Sequence, residues 1–202
     1  MTDEPSAPLA RPRGLRADAA ATRERVLAAA AAQLAAPGGE LAMNGLARDA
    51  GLGVGTVYRH FPTRQVLLEA LAAGPLEELV DAAERACAPD AAPGSHPAPA
   101  LEVLLRQGLR RLLTDPALAA VLARPTAACA DTAALLDRYR AALQVVLDRE
   151  RAAGRLRDDV DADDVRRLLH GLAGAVGAGA GRATPSARYV DVLLRGLGPT
   201  TT

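Results

Sequence analysis

The sequence has no tryptophan and no lysine, and only three tyrosines and one phenylalanine among its 202 residues. Strand-forming material is therefore scarce, because aromatic and β-branched residues are the ones enriched in sheets. Alanine and leucine supply much of the apolar half of the chain, and both favour helices. Two cysteines are too few for a disulfide framework or a cysteine-based metal site. The composition predicts an all-α fold.

Long apolar runs and enzyme motifs are also missing. No uncharged apolar run reaches the roughly 18 residues of a transmembrane helix, and the N-terminus lacks a signal-peptide core, so we expect a cytoplasmic protein without a membrane span. There is no Gly-x-Ser-x-Gly, His-x-x-x-His or Cys-x-x-Cys pattern. The aspartates of residues 158–164 lack the glycine and terminal glutamate of a calcium loop. We therefore expect no enzyme activity, no metal and no cofactor.

The net charge is zero, but the charges are unevenly distributed. Residues 10–71 hold eight arginines and five acidic residues, whereas residues 72–202 hold sixteen and seventeen. A cationic N-terminal third suits phosphate binding at that end. Three of its arginines, Arg11, Arg13 and Arg16, lie in residues 1–17, an arm rich in helix breakers that we expect to be disordered. This arm either contacts a nucleic-acid backbone or minor groove, or is an ordinary solvated tail.

Residues 51–65 are the most informative segment, with the sequence Gly-Leu-Gly-Val-Gly-Thr-Val-Tyr-Arg-His-Phe-Pro-Thr-Arg-Gln. Its glycine-rich turn separates a short helical pattern at 43–50 from a second at 54–61, which a proline ends. Val57 and Phe61 lie four residues apart and face inward, while the polar residues beside them can reach phosphates or base edges. The segment predicts a helix-turn-helix with its recognition helix second.

Helix start and stop signals continue along the chain. A first helix is predicted from about residue 19 to residue 36. Thr63 is predicted to cap a fourth helix, and Gly74–Pro75 to end it. Asp161 and Asp164 resemble a capping pair, and Gly154 is a natural helix C-cap.

The helix-turn-helix segment resembles the TetR family of transcriptional regulators, and the similarity extends to residues 22–30, 46–50 and 67–71. The resemblance implies an N-terminal three-helix head for DNA binding, joined to a helical-bundle body for ligand binding and dimerisation. We place the DNA-binding domain at residues 18–73 and the body at residues 74–198. One departure from the family pattern is Gly53, where a serine commonly caps the recognition helix, so that this helix would have a backbone-only cap.

In TetR-like proteins the third helix enters the major groove, and matching positions can be transferred one at a time. Thr56 and Tyr58 match residues that hydrogen-bond phosphates, and His60 matches a histidine that contacts the backbone. Arg59 matches a position facing base edges, where arginine pairs with guanine O6 and N7. Arg64 stands where the family usually has a lysine, at a positive helix N-terminus. The full expected DNA-binding set is Asn44, Val54, Gly55, Thr56, Tyr58, Arg59, His60 and Arg64.

The body is expected to dimerise and to bind an unknown small-molecule effector. Two C-terminal helical stripes are the dimerisation candidates, and a role of the same residues in the intramolecular core remains open. These residues are Leu168, Gly171, Leu172, Gly174, Val176, Gly177, Leu193, Leu194 and Leu197. Candidate pocket residues, each with a surface pair or a satisfied core polar group as the alternative, are Arg106, Arg110, Thr126, Cys129, Tyr139 and His170.

These expectations define one function and two alternatives. The chain is predicted to be a homodimeric transcriptional regulator, a repressor that leaves a palindromic operator in double-stranded DNA when a small molecule binds. The first alternative is an interaction protein that uses the same fold to bind another protein through its helical body. The second is a helical enzyme with an appended DNA-binding head.

Overall fold

The computed structural model describes residues 13–87, 100–178 and 186–199, and every regular element within these ranges is an α-helix. The predicted all-α class is therefore confirmed. The first compact unit ends at Pro62 and the second begins at Thr63. The described helices of the first unit are α1 (Arg13–Ala35), α2 (Met43–Asp49) and α3 (Val54–His60). Those of the second are α4 (Arg64–Ala86), α5 (Ala100–Thr114), α6 (Pro116–Leu122), α7 (Ala130–Ala152), α8 (Ala162–Ala178) and α9 (Ser186–Leu197).

The start of the first helix differs from the sequence prediction. α1 begins at Arg13 and not near residue 19, so the C-terminal part of the predicted arm is helical. Gly14 does not prevent this, because one glycine costs a helix only about 1 kcal/mol relative to alanine. Residues 1–12, which include Arg11, lie outside the described residues.

The end of the fourth helix also needs correction, because α4 continues through Gly74 and Pro75 to Ala86. Pro75 lacks the N–H for one helical hydrogen bond, and a proline inside a helix costs roughly 3 kcal/mol. The residues that follow it repay this cost: Leu76, Leu79 and Val80 are all buried, and α4 packs along α6 and α7. Each such side chain contributes about 1.5–3 kcal/mol when it leaves water. Tertiary packing thus overrides the local breaking signal.

Three helix boundaries that were predicted in the second unit are confirmed. The Thr63 hydroxyl accepts a hydrogen bond from the Val66 backbone N–H at 3.2 Å, which caps α4. Asp161 and Asp164 cap reciprocally, at 2.8 Å from the Asp164 N–H to the Asp161 carboxylate and 3.2 Å in the other direction. Gly154 follows α7 with φ of +69°, a left-handed conformation that suits glycine.

The first unit is organised around a small apolar core. Val26 and Ala30 of α1, Leu46 of α2 and Val57 of α3 are fully buried, and Phe61 just beyond α3 is 1% exposed. α2 packs against both α1 and α3. The short α2 and α3 therefore owe their stability to this shared core, since isolated helices of that length are marginal in water.

The second unit is a bundle in which α4 packs on α6 and α7, while α5 packs on α8, α9 and α6. Its fully buried side chains include Leu76, Leu105, Leu118 and Leu147. α5 and α8 approach closely at Gly108, because a Cβ there would lie 2.7 Å from Cδ2 of Leu169. None of the helices in the described ranges is long and apolar enough to cross a membrane.

Candidate functional site

α3 has one buried and one exposed face. Val57 lies in the core, whereas Val54 is 48% exposed, Tyr58 is 41% exposed, and Gly55 and Arg59 also face solvent. The other predicted DNA-binding residues of the first unit differ in burial. Asn44 on α2 is exposed, and Thr56 and His60 are half-buried. The structure thus brings one exposed polar and aromatic surface together on the helix that the sequence predicts to recognise DNA.

The turn between α2 and α3 is fixed by its backbone and by α1. Gly51 has φ of +61°, a left-handed conformation that few other residues adopt, and the Leu52 N–H donates to the Ala47 carbonyl at 2.7 Å. The Arg25 guanidinium of α1 donates to the carbonyls of Ala50 and Gly51. Arg25 therefore ties the turn between α2 and α3 to α1.

Gln33 of α1 holds α2 at both of its ends. Its side-chain amide N–H donates to the Asp49 carboxylate at 2.7 Å, and its side-chain oxygen accepts from the Ala42 N–H at 3.0 Å. The connecting turn passes very close to α1, because a Cβ at Gly39 would lie 2.2 Å from the Gln33 backbone oxygen. Only glycine fits at that position without movement of the chain.

Phe61 anchors the C-terminal end of α3. Its ring is 1% exposed, and the Arg23 guanidinium carbon lies 5.3 Å from its centroid, a cation–π contact. The sequence reasoning missed the roles of Arg23, Arg25 and Gln33. A signal existed for two of them, since Arg23 and Gln33 share the helical spacing of the buried Val26 and Ala30.

Two helix starts complete the candidate DNA-binding set. Gly53 precedes α3 with φ of −71° and ψ of 142° and forms no side-chain cap, as the departure from the family pattern implied. Arg64 is the first residue of α4, in the second unit, and its side chain is exposed. Its guanidinium thus lies at the N-terminal end of a helix, where the dipole favours an anion.

The candidate effector residues are dispersed over the second unit. Arg106 forms ion pairs with Glu102 at 2.8 Å and with Asp191 at 2.6 Å, so its side chain ties α5 to α9. Arg110 lines an open polar groove of about 350 Å³ between α4 and α5. His170 on α8 has a buried Nδ1 that makes no hydrogen bond with the described residues. The groove at Arg110 is lined by neither Arg106 nor His170.

Thr126 and Cys129 belong to the loop of residues 123–129 between α6 and α7, which Glu69 of α4 holds. Glu69 is 2% exposed, and its carboxylate accepts from the Ala128 N–H at 2.6 Å and the Cys129 N–H at 2.8 Å. The Gln65 side-chain amide donates to Glu69 at 2.9 Å and to the Thr126 carbonyl at 3.0 Å. We call these contacts the Glu69 network.

The Glu69 network determines the ionisation of its members. Burial by itself raises the pKa of Glu69, but the hydrogen bonds from Ala128, Gln65 and Cys129 outweigh burial and leave that pKa below its ordinary value. Burial and the neighbouring Glu69 carboxylate raise the pKa of the Cys129 thiol. Burial also raises the pKa of Cys87. Both thiols are therefore held protonated, which disfavours redox reactivity.

The sequence reasoning missed Glu69, although a signal was present. Glu69 lies on the same helical stripe as Ala72, Leu76, Val80 and Ala83, all of them buried. An acidic residue on a buried stripe requires hydrogen-bond donors from elsewhere in the fold. Two of its three donors are backbone groups about 60 positions later in the sequence, which no local pattern indicates.

Tyr139 is a candidate effector residue that lines a partly open cleft. Its side chain is 7% exposed, and burial raises its pKa to about 12. It lies in a cleft formed by the end of α6, the following loop, α7 and the start of α8. We call this space the α6–α8 cleft. Among the described residues, no three His, Cys, Asp or Glu side chains are grouped to hold a metal ion.

Comparison with protein-family models gives two matches. Residues 26–71 match the model described as bacterial regulatory proteins, tetR family. Residues 96–199 match the model described as transcriptional regulator SbtR-like, C-terminal domain. A search of curated proteins gave no significant match.

Solved structures similar to the chain include TetR regulators from two bacteria. A TetR regulatory protein from Mycobacterium vanbaalenii is 34% identical, with 91% of this chain and 99% of that chain covered and a TM-score of 0.46. A TetR regulator from Streptomyces coelicolor is 29% identical, with 89% and 99% covered and a TM-score of 0.50. RolR, solved with the ligand resorcinol, is 20% identical, with 91% of each chain covered and a TM-score of 0.56.

Proposed function

The chain belongs to the TetR family of transcriptional regulators, and from this premise we propose that it is a homodimeric repressor. In this proposal the dimer binds a palindromic operator in double-stranded DNA and leaves it when a small molecule binds the body. DNA binding by the first unit follows from the family. Repression, the dimer, the operator symmetry and the effector are the finer parts that experiments must test.

The exposed face of α3 is the observation that supports the DNA contacts most strongly. Tyr58 and Arg59 project from a helix whose opposite face, at Val57, is fully buried. We assign Arg59 to base edges, and Thr56, Tyr58 and His60 to the phosphate backbone. Asn44, Val54 and Gly55 complete the groove-facing set, and Arg64 contacts phosphate. The domains remain as proposed from sequence, residues 18–73 for DNA binding and 74–198 for the body, although the first compact unit ends at Pro62.

Exposed apolar surface on α8 and α9 supports a dimer. Leu168 is 44% exposed, Tyr189 is 40% exposed and Val192 is 58% exposed. A Cβ at Gly171 or Gly174 would meet nothing within 4 Å, so a partner helix has room to approach. The residues that the sequence predicts for dimerisation nevertheless differ in burial. Val176 and Leu197 are buried within the chain. Leu172, Leu193 and Leu194 are half-buried.

A single DNA-binding head makes few base contacts, and a dimer doubles their number. Two heads related by a two-fold axis read half-sites about one helical turn of DNA apart. Analytical ultracentrifugation of Val192→Glu tests this. We expect a shift toward monomer and weaker operator binding, with Val145→Glu as the control, since Val145 is 41% exposed on α7. An unchanged dimer in Val192→Glu would contradict this interface.

A small-molecule effector is proposed because the family match includes a C-terminal regulator domain and because RolR was solved with resorcinol. A ligand changes DNA affinity only if it binds the two body conformations unequally. Tyr139 is the candidate effector residue with the best placement, since it lines the α6–α8 cleft. The other candidates stay as predicted from the sequence: Arg106, Arg110, Thr126, Cys129 and His170.

Fluorescence anisotropy on DNA from upstream of the chain's own gene, against scrambled DNA at equal salt, tests the proposed function. We expect a preference of roughly a thousandfold or more, the low end of specific recognition. Arg59→Ala should relax sequence preference, whereas Arg64→Ala should weaken binding to all sequences. Arg138→Ala is a matched control, since this arginine is exposed on α7 and pairs with Glu84. Weak and equal binding to upstream, scrambled and library-selected DNA would favour the interaction-protein alternative.

A further inference from the structure

The α6–α8 cleft has apolar walls around one buried hydroxyl group. Leu122, Pro125, Leu136 and Leu143 contribute the walls, and Tyr139 lies among them at 7% exposure. Burial raises the pKa of Tyr139, and its hydroxyl donates no hydrogen bond to the described residues. The phenol therefore keeps its proton at neutral pH and has a donor available for a guest molecule.

Cationic side chains surround the same cleft. Arg124, Arg140 and Arg166 line it together with one carboxylate, that of Asp163. Arg140 and Arg166 share Asp163, at 3.4 Å and 3.3 Å. Arg124 is exposed on the loop at the cleft's edge. Arg140 also pairs with Asp137 at 2.8 Å. Three guanidinium groups against two carboxylates leave one net positive charge, which favours an anionic guest.

The size of the cleft determines when a guest can enter. Its enclosed volume is about 20 Å³, which holds one water molecule and no organic molecule. An organic guest therefore binds only after α7, α8 and the loop of residues 123–129 separate. All of its affinity then belongs to the open conformation, which is the condition for a ligand to shift a conformational equilibrium.

We propose that the α6–α8 cleft binds a small organic monocarboxylate with an apolar body. The apolar body packs against Leu136 and Leu143, and the carboxylate accepts hydrogen bonds from the Tyr139 hydroxyl and the Arg124 guanidinium. The assignment of this acid as the effector rests on the proposed function. The binding itself does not, because it requires only the second unit.

Binding of 4-fluorobenzoate to the full chain, followed by ¹⁹F NMR, tests the site, with the neutral 4-fluorobenzamide as the matched probe. We expect the acid to bind and the amide to bind at least tenfold more weakly, because a hydrogen bond to a charged group is worth about twice a neutral one. Tyr139→Phe should weaken acid binding by about three- to tenfold. Arg124→Gln should weaken it by about tenfold or more.

Two control variants separate the site from general effects on the fold. Tyr189→Phe removes a hydroxyl from an exposed tyrosine on α9, and Arg138→Gln removes a cation from α7 outside the cleft. Both should bind 4-fluorobenzoate as the unmodified chain does. Unchanged circular dichroism spectra of all four variants confirm that they fold.

Three results would each overturn this inference. The first is no binding of 4-fluorobenzoate at about 10 mM, roughly ten times the Kd of a weak millimolar ligand. The second is equal binding of the acid and the amide. The third is equal binding of the acid by Tyr139→Phe, Arg124→Gln and the unmodified chain. The anisotropy assay separates this failure from failure of the proposed function. A chain that binds its operator but not the acid overturns this inference alone. A chain that binds the acid but no DNA supports this inference and contradicts the proposed function.

Discussion

Replacement of Glu69 by glutamine should destabilise the second unit more than its small change in shape suggests. The carboxylate accepts from the Ala128 N–H, the Cys129 N–H and the Gln65 amide, and both of its oxygens are used. Glutamine has one side-chain oxygen, so its amide nitrogen must face at least one of the donors that Glu69 satisfies. That donor is left without a partner in a site that is 2% exposed.

The expected cost follows from these contacts. A buried donor left unpaired costs about 1–3 kcal/mol, and a hydrogen bond to a charged acceptor contributes about 1.5–3 kcal/mol. For Glu69→Gln we expect a loss of roughly 2–4 kcal/mol in the free energy of unfolding. In a chain of this size that corresponds to a fall in Tm of about 5–12 °C. Glu78→Gln, on the same helix and paired with Arg111 at the surface, should change stability by less than about 1 kcal/mol.

Urea unfolding followed by circular dichroism at several pH values measures both the size and the origin of the effect. The folded-state pKa of Glu69 lies below the ordinary value of 4.5. Its ionisation therefore stabilises the fold fully above pH 4.5, and this contribution is lost as the pH falls through the folded-state pKa. The difference between the unmodified chain and Glu69→Gln should narrow over that same acidic range. Equal stability of Glu69→Gln and Glu78→Gln at pH 7 would refute the reasoning.

Three further substitutions test close contacts and caps. Gly74→Ala, with open space around its Cβ, should stabilise the chain by about 1 kcal/mol in thermal unfolding, because alanine favours a helix. Gly108→Ala should lose most or all of this gain, because its methyl group meets Cδ2 of Leu169 at 2.7 Å and that side chain must shift; equal gains from the two substitutions would contradict the close approach of α5 and α8. Thr63→Ala should cost about 1 kcal/mol through loss of the α4 cap, and a neutral result in urea unfolding would show that the cap is dispensable. Arg25→Met should speed amide hydrogen exchange at Leu52, because Arg25 ties the turn that contains Leu52 to α1. An unchanged exchange rate at Leu52 would show that Arg25 does not stabilise this turn.

Local signals in the sequence were sufficient to place most helices. Spacing of apolar residues, capping groups and glycines act over one or two turns, and all of them are visible in the sequence. Thr63, Asp161 and Asp164 are confirmed on these grounds. Pro75 shows where such signals fail, because its helix continues only through packing with α6 and α7, which are distant in sequence.

The burial pattern of the candidate DNA-binding surface was also predictable, because its residues are close together in the sequence. Its buried anchors, Val57 and Phe61, and its exposed groups, Tyr58 and Arg59, lie within five consecutive residues of one another. The supports of this surface were harder to foresee. Arg25 caps a turn 25 residues away, and nothing in its local pattern distinguishes it from a solvated arginine.

The effector region depends on long-range contacts, and its six candidate residues were therefore the least predictable. Residues 123–129 show why this region is of interest for regulation. Arg124 and Pro125 line the α6–α8 cleft, and the next residue, Thr126, begins the contacts of the Glu69 network. A guest that opens the cleft must displace this loop and so act on Gln65 and Glu69, in the first two turns of α4. α4 begins at Arg64, and only three residues separate it from the end of the recognition helix at His60. The two proposals together therefore predict that Glu69→Gln weakens the effect of the acid on DNA binding more than it weakens acid binding.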